Sequence, residues 1–551
     1  MERIGDLLAR DLTKNIEEII KVDQFDEQTV YTEIKEYVAT KNIKDHYRFL
    51  LRAIAEAPAE QHEDVGIWIS GFFGSGKSSF AKNLGYVLSN PMVMGYSYCD
   101  LFKAQLNDEM ISDLVDSINK RIPTEVIMFD ISKASEVRRG DEKIAEVIYR
   151  RLLSYLDYAE DYDIAELEIE LEGDGRLDHF TALSMEVNGQ EWSKARKGAR
   201  KINYASTILH KMDPKNFPQA DSWANSLRGK RPILTVEVVV ERAFELMARR
   251  KKGRALFFII DEVGQYVARS VDRIEDLRAV VEQFGKMSKN RLKSGEAIAP
   301  IWIAVTSQEK LEEVVAALDS KKVELAKLQD RFKFRVDLAP ADIREIASRR
   351  VLAKKDEAEP ELRSLFDRCQ GQLNLACRLE RTSRKSEINE SDFVQCYPYL
   401  PHFIDISIDI MSGIRLQPGA DRHLGGSNRT IIKQAHEMLV NERTRLAERP
   451  VGSLVTIDRI FDLVEGNLST EKRNDVSQIA SRVDDETGMV LRTTKAVCLL
   501  EFIKDLPRTE ANIAACLVDE VGSSSPLSAV RDALKLLEDS QFVHSGDEGW
   551  K

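Results

Sequence analysis

The sequence of 551 residues lacks several patterns that define common protein classes. Its six cysteines form no Cys-x-x-Cys pair, and no histidine stands at zinc-ligand spacing. This excludes a zinc module and indicates buried thiols in a reducing compartment. No run approaches the ~18 apolar residues that span a bilayer, and the first residues contain no apolar signal core. These absences predict a cytoplasmic protein without a membrane partner.

An excess of positive charge is also missing. The chain has 80 Lys and Arg against 92 Asp and Glu, a formal charge of −12. Such a chain does not bind DNA through its overall charge, so any nucleic-acid contact must come from a local patch. The length predicts roughly three or four domains at about 150 residues each.

The most informative segment is a glycine-rich turn after the apolar strand 65–69. It reads Gly71-x-x-x-x-Gly76-Lys77-Ser78, the Walker A pattern of a phosphate-binding loop. Glycines let backbone N–H groups surround a phosphate, Lys77 reaches the outer phosphates, and the Ser78 hydroxyl ligates Mg²⁺. We therefore expect ATP and Mg²⁺ as cofactors. The residues expected to bind them here are Gly71, Phe72, Phe73, Gly74, Ser75, Gly76, Lys77, Ser78 and Ser79.

A second apolar run, 255–260, ends in two carboxylates, Asp261 and Glu262. After a phosphate loop, this pattern predicts a Walker B strand. Asp261 then holds the hydrated Mg²⁺, and Glu262 orients and deprotonates the attacking water. The catalytic prediction rests on Lys77 and Glu262, with Ser78 and Asp261 at the metal.

The strand predicted at 300–308 ends in polar residues. In a parallel sheet the carboxyl ends of the strands face the ligand, so Thr306, Ser307 or Gln308 is placed to sense the γ-phosphate. Thr306 is our first choice. A simple helix cap is an alternative role for Ser307.

Two arginines that follow the strand predicted at 300–308 could act on the nucleotide of a neighbouring subunit. Arg331 is the preferred arginine finger and Arg335 the second choice, with a surface ion pair as the alternative for either. Arg378 and Arg381, on a helix predicted over 373–384, are candidates for a nucleotide sensor, although solvated charge is the stronger alternative.

Strands that alternate with helices predict an α/β P-loop NTPase fold with a parallel sheet. A five-stranded nucleotide domain followed by a small helical bundle is the arrangement of an AAA+-like ATPase and its lid. We expect five segments: a helical segment at 1–60, the ATPase core at 61–340, a helical lid at 341–400, a helical connecting region at 401–490, and a winged-helix-like domain at 491–551.

An insertion interrupts the core at about 157–232. Its residues 164–171 alternate apolar and acidic side chains, as an exposed strand or a one-sided helix would. A basic cluster follows at 194–201. The cluster could touch nucleic acid, but a solvated helix face is the favoured interpretation.

The last sixty residues predict three helices and a β-wing, and thus a winged helix whose third helix would read DNA. Residues 526–551, however, carry three basic and five acidic side chains. Phosphate binding requires the opposite balance, so a protein-contacting winged helix is favoured.

Several segments together resemble one known family. They are 21–24 (Lys-Val-Asp-Gln), the phosphate loop from Trp68 to Lys77 with its Gly-Phe-Phe insert, 261–266 (Asp-Glu-Val-Gly-Gln-Tyr), 397–401 (Tyr-Pro-Tyr-Leu-Pro) and 422–430. The chain is similar, from about residue 5 to past 470, to the large P-loop ATPases of BREX and Pgl phage-defence systems, the BrxC/PglY family. Members are usually much longer, so an N-terminal portion is expected.

The resemblance implies an AAA+-like ATPase that acts in a prokaryotic antiviral complex on DNA. Expected partners are further copies of the chain, a DNA methyltransferase and other proteins of the system. Two alternatives stay open: a nucleotide-gated scaffold or switch without motor function, and an initiator-like ATPase that binds DNA through the winged helix.

Overall fold

The computed structural model describes residues 2–13, 22–71, 75–136, 143–228, 234–267, 270–311, 328–415, 431–483, 485–547 and 549–551. Among these residues, no helix has the length and apolar character needed to cross a membrane. Of the six cysteines, Cys369 and Cys498 are partly exposed and the other four are buried.

A five-stranded parallel sheet forms the centre of the first half of the chain. Its strand order is β4-β5-β6-β1-β7, so the strand before the phosphate loop lies inside the sheet. Every residue of β1, β5 and β6 is buried, as expected for a sheet covered by helices on both faces. The predicted α/β fold with a parallel sheet is confirmed. The strands of the chain are β1 Gly66–Ser70, β2 Met92–Val93, β3 Tyr96–Ser97, β4 Thr124–Asp130, β5 Ala255–Asp261, β6 Trp302–Ser307, β7 Phe334–Asp337, β8 Ser545–Gly546 and β9 Gly549–Trp550.

The helix that follows the phosphate loop, Lys77–Ser89, lies close against the sheet. A Cβ atom on Gly85 would stand 2.8 Å from both the Ile259 Cδ1 and the Met128 Sδ atoms. Only glycine permits this approach, which holds the loop in line with β5. The other helices that pack around the sheet are Glu27–Lys35, Lys41–Glu60, Tyr98–Leu106, Glu109–Arg121, Ile131–Glu136, Ile144–Tyr155, Val236–Arg250, Val263–Val267 and Val271–Lys293.

The helical segment before the sheet packs on the phosphate-loop helix. Tyr47 stacks on Phe80 with ring centroids 4.2 Å apart, and its hydroxyl donates to the Phe80 carbonyl at 3.2 Å. The segment 29–57 is divided into two helices by residues 37–40. The apolar positions 16, 19 and 20, expected to be helical, lie outside the described residues.

The insertion folds as helices around a small hydrophobic core of its own, which includes Phe180, Trp192 and Ile208. The alternating stretch 164–171 is helical, because its apolar residues turn into this core and toward the sheet domain. The helices of the insertion are Tyr162–Gly173, Leu177–Asn188, Trp192–Ala195, Lys201–Met212 and Ser222–Ser226.

A second large core lies beyond the sheet. It joins apolar residues from 343 to 534 with Ile4, Leu7 and Leu8 near the start of the chain. Its helices are Ile4–Leu7, Pro340–Arg350, Glu359–Ala376, Glu390–Cys396, Pro401–Arg415, Ile431–Val440, Ile457–Val464, Thr470–Arg482, Met489–Leu500, Glu510–Ala515 and Leu527–Asp539, with short 3-10 turns at Leu446–Glu448 and Glu465–Asn467.

One helix prediction in this region is wrong. The helix predicted over 373–384 has other bounds: its first residues belong to Glu359–Ala376, which continues through Gly371 and ends at Ala376. The last three helices and the β8–β9 hairpin follow the predicted succession of elements. Their classification as a winged helix, like the segment boundaries, stays a prediction.

Candidate nucleotide-binding site

The phosphate loop begins where β1 ends. Gly71 has a φ of +156°, and a Cβ atom there would stand 2.5 Å from the Ser75 Oγ and 3.1 Å from the Leu338 carbonyl oxygen. Gly76 has a φ of +89° and precedes the first helical residue. Both positions therefore require glycine. Phe72, Phe73 and Gly74, predicted to contact nucleotide, lie outside the described residues.

The helix N-terminus at Lys77 is suited to an anion. The N-cap residue, Gly76, supplies no side-chain cap, so the first-turn N–H groups lack that acceptor. The Ser75 hydroxyl is buried and has no hydrogen-bond partner among the described residues. Lys77 itself is 5% exposed. A phosphate group would supply the missing acceptors and a countercharge to the helix dipole.

The two predicted Mg²⁺ ligands, Ser78 and Asp261, are in direct contact. The Ser78 hydroxyl donates to the Asp261 carboxylate, with Oγ 2.9 Å from Oδ2 and 3.2 Å from Oδ1. These residues are separated by 183 positions in the chain, and the parallel pairing of the strands brings them together. A hydroxyl and a carboxylate are hard oxygen ligands of the type that Mg²⁺ prefers, so the donor set fits this ion.

The residue after Asp261 has an unusual backbone. Glu262 has a φ of +61°, in the left-handed region that non-glycine residues rarely occupy. Its N–H donates to the Thr306 Oγ1 at 2.9 Å, and the Thr306 hydroxyl donates in turn to the Asp261 Oδ1. Such strained conformations persist where the surroundings hold them, and they concentrate at functional sites. Thr306 thus orients both carboxylate residues.

Burial controls the acidity of both carboxyl groups. It raises the pKa of Asp261, against hydrogen bonds from Thr306 and Ser78 and the charge of Lys77. Burial raises the pKa of Glu262 as well, and the charge of Asp261 acts in the same direction. A carboxylate with a raised pKa is a stronger proton acceptor, which suits a general base.

The three polar residues at the end of β6 make different contacts. Gln308 donates to the Glu262 Oε2 at 3.3 Å. Ser307 accepts the Glu309 N–H at 3.1 Å, the local cap that was the alternative for this residue. Thr306 and Gln308, rather than Ser307, therefore contact the carboxylate pair.

Sequence reasoning missed Asp130. It ends β4 in direct register with Asp261 on β5, and its side chain pairs with Lys133 at 3.5 Å. Its charge contributes to the raised pKa of Asp261 and Glu262. An apolar strand that ends in aspartate is the same signal as in β5, so the pattern was available in the sequence.

The two finger candidates lie away from the phosphate loop of their own chain. Arg331 precedes β7, at the amino ends of the strands, and its guanidinium contacts the Glu282 carboxylate at 3.2 Å. Arg335 donates to the Phe332 and Gln329 carbonyl oxygens. Any role of either residue at a nucleotide would therefore involve a second subunit.

The sensor candidates are not on a helix, contrary to expectation. Arg378 and Arg381 follow the end of Glu359–Ala376, and Arg381 has a φ of +55°. The chain leaves the helix there because the following segment, through Glu380, exchanges hydrogen bonds with the Asn512 side chain.

Comparisons with known proteins bear on the region after the sheet. Residues 344–487 match the family model described as the second domain of the BREX system ATPase PglY. Among solved structures, Cdc6p from Pyrobaculum aerophilum is similar with 10% identity and a TM-score of 0.33, over 92% of this chain and 98% of that chain. A TM-score of this size does not establish a shared fold.

The family match covers segments that sequence analysis had compared with the same family, including 397–401 and 422–430. It is independent of the phosphate loop, which lies outside residues 344–487 and which many families share. The match supports the resemblance found in the sequence: residues 344–487 are similar to the second domain of the BREX system ATPase PglY.

Proposed function

We propose that the chain binds ATP with Mg²⁺ and hydrolyses it, as an AAA+-like component of a BREX/Pgl-type phage-defence system. The observation that carries this proposal is the meeting of Ser78, Asp261 and Glu262 at the carboxyl end of β5, with Thr306 bonded to both acidic residues. A site that only binds nucleotide does not need a base beside the metal carboxylate.

In this mechanism the residues divide the work. The N–H groups at the start of Lys77–Ser89 and the Lys77 ammonium bind the phosphates and oppose the negative charge that develops on them. Ser78 and Asp261 would hold Mg²⁺, which supplies charge neutralisation at the outer phosphates. Glu262 accepts a proton from water, whose oxygen attacks the γ-phosphorus while the bond to the ADP oxygen breaks. Gln308 and Thr306 keep Glu262 in position.

Two substitutions test this division. Glu262→Gln removes the base but keeps the shape, so we expect ATP binding to persist while turnover is lost. Lys77→Ala should lose ATP binding itself, as measured with a fluorescent ATP analogue. Lys293→Ala, an exposed lysine at the end of Val271–Lys293, is the matched control and should hydrolyse ATP normally. Retention of turnover by Glu262→Gln would exclude the proposed base.

The same variants separate a motor from a switch. A cycling motor needs turnover, so a phage-protection assay with Glu262→Gln should show lost protection. A nucleotide-gated scaffold would still protect in the ATP-bound state. We further propose a cytoplasmic homo-oligomer that works with a DNA methyltransferase and other proteins of the system, in accord with the family.

The last three helices and the β8–β9 hairpin support a role in protein contact rather than an initiator-like DNA reader. Arg531, one of the few basic residues there, pairs with Glu510 at 2.6 Å. Its charge is therefore not free for a phosphate. Deletion of residues 491–551 should accordingly leave the salt-dependent DNA affinity unchanged.

A further inference from the structure

The insertion contains a strongly basic stretch. Residues 192–215 include seven Lys or Arg and a single acidic residue, in a chain with a formal charge of −12. A solvated helix face in an acidic protein would ordinarily mix both signs. Some of these basic side chains form ion pairs within the fold, and others remain available to a partner.

Three of the basic residues have structural partners, and one of them, Lys211, pairs with Glu186. Arg196 contacts Glu168, whose buried carboxylate also accepts the Trp192 indole N–H at 2.6 Å. Lys201 pairs with Asp161 at 2.9 Å. The contacts of Arg196 and Lys201 fasten the basic turn to the helix Tyr162–Gly173.

Three others are exposed and face no acidic partner among the described residues: Lys194, Lys197 and Arg200. Each of these three side chains is therefore available to a negatively charged partner from outside the chain.

The following helix extends this surface. Asn203, Thr207 and Lys211 follow Arg200 at spacings of three or four residues, which places them on one helix face. From Arg200 to Lys211 the face is about 16 Å long, at 1.5 Å per residue. Asn203 and Lys211 are exposed, whereas the apolar residues of the helix, Ile208 and Leu209, are buried in the core of the insertion. The Thr207 hydroxyl donates to the Asn203 carbonyl and Lys211 pairs with Glu186, so the face is polar and offers mainly the Asn203 amide to a ligand.

The insertion is also tied to the ATPase site. Glu166 pairs with Arg242 at 2.6 Å and Glu172 with Arg250 at 2.8 Å. Both arginines lie on Val236–Arg250, the helix that leads into β5 and thus to Asp261 and Glu262. The insertion is therefore in direct contact with the helix that precedes the strand carrying Asp261 and Glu262.

We propose that Lys194, Lys197 and Arg200, continued by the exposed face of Lys201–Met212, form a surface that binds the phosphate backbone of duplex DNA without reading its sequence. Charge complementarity carries this assignment, since three exposed cations without an acidic partner among the described residues lie within seven residues of the chain and match a regular polyanion. The inference deepens the proposed role on DNA, but it does not depend on ATP hydrolysis.

The test uses the whole chain without nucleotide and a fluorescently labelled duplex of mixed sequence, with anisotropy measured over a salt series. We expect the triple variant Lys194→Ala, Lys197→Ala, Arg200→Ala to bind at least about tenfold more weakly. Its slope of log affinity against log salt should decrease by about 3, because each lost phosphate contact removes about 0.9. Its thermal unfolding should match the parent, since these side chains have no partners to lose.

A matched triple, Lys120→Ala, Lys293→Ala, Lys385→Ala, removes three exposed positive charges from other segments and should bind normally. Equal losses in both triples would overturn the proposal in favour of a net-charge effect. A parent chain that does not bind duplex DNA at low salt would overturn it too, with an acidic protein as the remaining partner class. ATP hydrolysis measured on the same samples reports separately on the proposed function.

Discussion

The Thr306 hydroxyl donates a hydrogen bond of 2.5 Å to the Asp261 carboxylate, and it simultaneously accepts the N–H of the next residue, Glu262. We expect Thr306→Val to lower kcat by about 10- to 100-fold, because outer partners of a metal carboxylate have effects of this size. ATP binding should change little, as Lys77 and the phosphate loop are intact. Thr306→Ser keeps the hydroxyl and should retain most of the activity. Steady-state ATP hydrolysis by Thr306→Val at the parent rate would contradict this role.

Arg331 can reach a nucleotide only in a neighbouring subunit if it is a finger. Arg331→Ala should then abolish turnover, a loss on the order of 10³-fold or more, with ATP binding retained. Mixing it with Lys77→Ala, which is also inactive, should restore activity, because sites with an intact Lys77 then face an intact Arg331. Arg278→Ala is the matched control, since Arg278 contacts the same Glu282 carboxylate at 2.8 Å. Hydrolysis assays on mixtures of the purified variants, with no recovery at any ratio, would exclude a finger in trans.

Asp342 connects the sheet domain with the helices that follow it. Its buried carboxylate accepts hydrogen bonds from the Thr40 hydroxyl at 2.6 Å, the Asn42 amide at 2.9 Å and the Ala339 N–H at 3.0 Å. Asp342→Ala leaves these donors unsatisfied, at about 1–3 kcal/mol for each buried group. We expect the free energy of unfolding to fall by about 3 kcal/mol in urea titrations. Asp356→Ala, at an exposed position, should change it by less than about 0.5 kcal/mol.

The buried His402 should make the free energy of unfolding depend on pH. Burial lowers the pKa of His402 to about 4 from its ordinary 6.5, and the charges of Arg344 and Arg384 act in the same direction. The unfolded chain therefore binds a proton first as the pH falls. The contribution of neutral His402 to the free energy of unfolding is fully present above pH 6.5. It is lost progressively toward pH 4, by about 3 kcal/mol in total.

The variant His402→Leu should remove this component. We expect the urea midpoint of the parent to fall between pH 6.5 and pH 4. The midpoint of His402→Leu should fall less over the same pH range. An equally steep fall in the variant would assign the acid sensitivity to other groups, such as the carboxylates that pair with Arg344 and Arg384.

The elements around the phosphate could be predicted because their signals are local. An apolar run followed by glycines, or by two carboxylates, specifies a strand and its polar end without reference to the rest of the chain. The proximity of Ser78 and Asp261 was predicted from the two motifs, because both residues were assigned to the same Mg²⁺ ion. Asp130 was missed, although β4 is also an apolar run that ends in aspartate, because β4 lacks the second carboxylate that follows Asp261 in β5.

Contacts between distant segments could not be predicted in the same way. The position of Arg378 and Arg381 depends on Asn512, which bonds to a segment 132 residues away. The continuation of Glu359–Ala376 through Gly371 was not predicted, because glycine is a poor helix former and usually marks a helix end. The insertion was recognised from its charge, but the division of its cations into paired and unpaired groups required the positions of Glu168 and Asp161.

The second core contains Ile4, Leu7 and Leu8, and backbone hydrogen bonds from Ala9 to Ala353 and from Lys355 to Leu7 hold this short stretch beside the segment after the sheet. The chain therefore connects the two cores at two places, once between residues 9 and 30 and again between residues 338 and 343. Two separate connections restrict the relative displacement of two packed bodies more than a single connection does. We expect a displacement of the second core relative to the sheet to occur mainly about the line that joins the two connections.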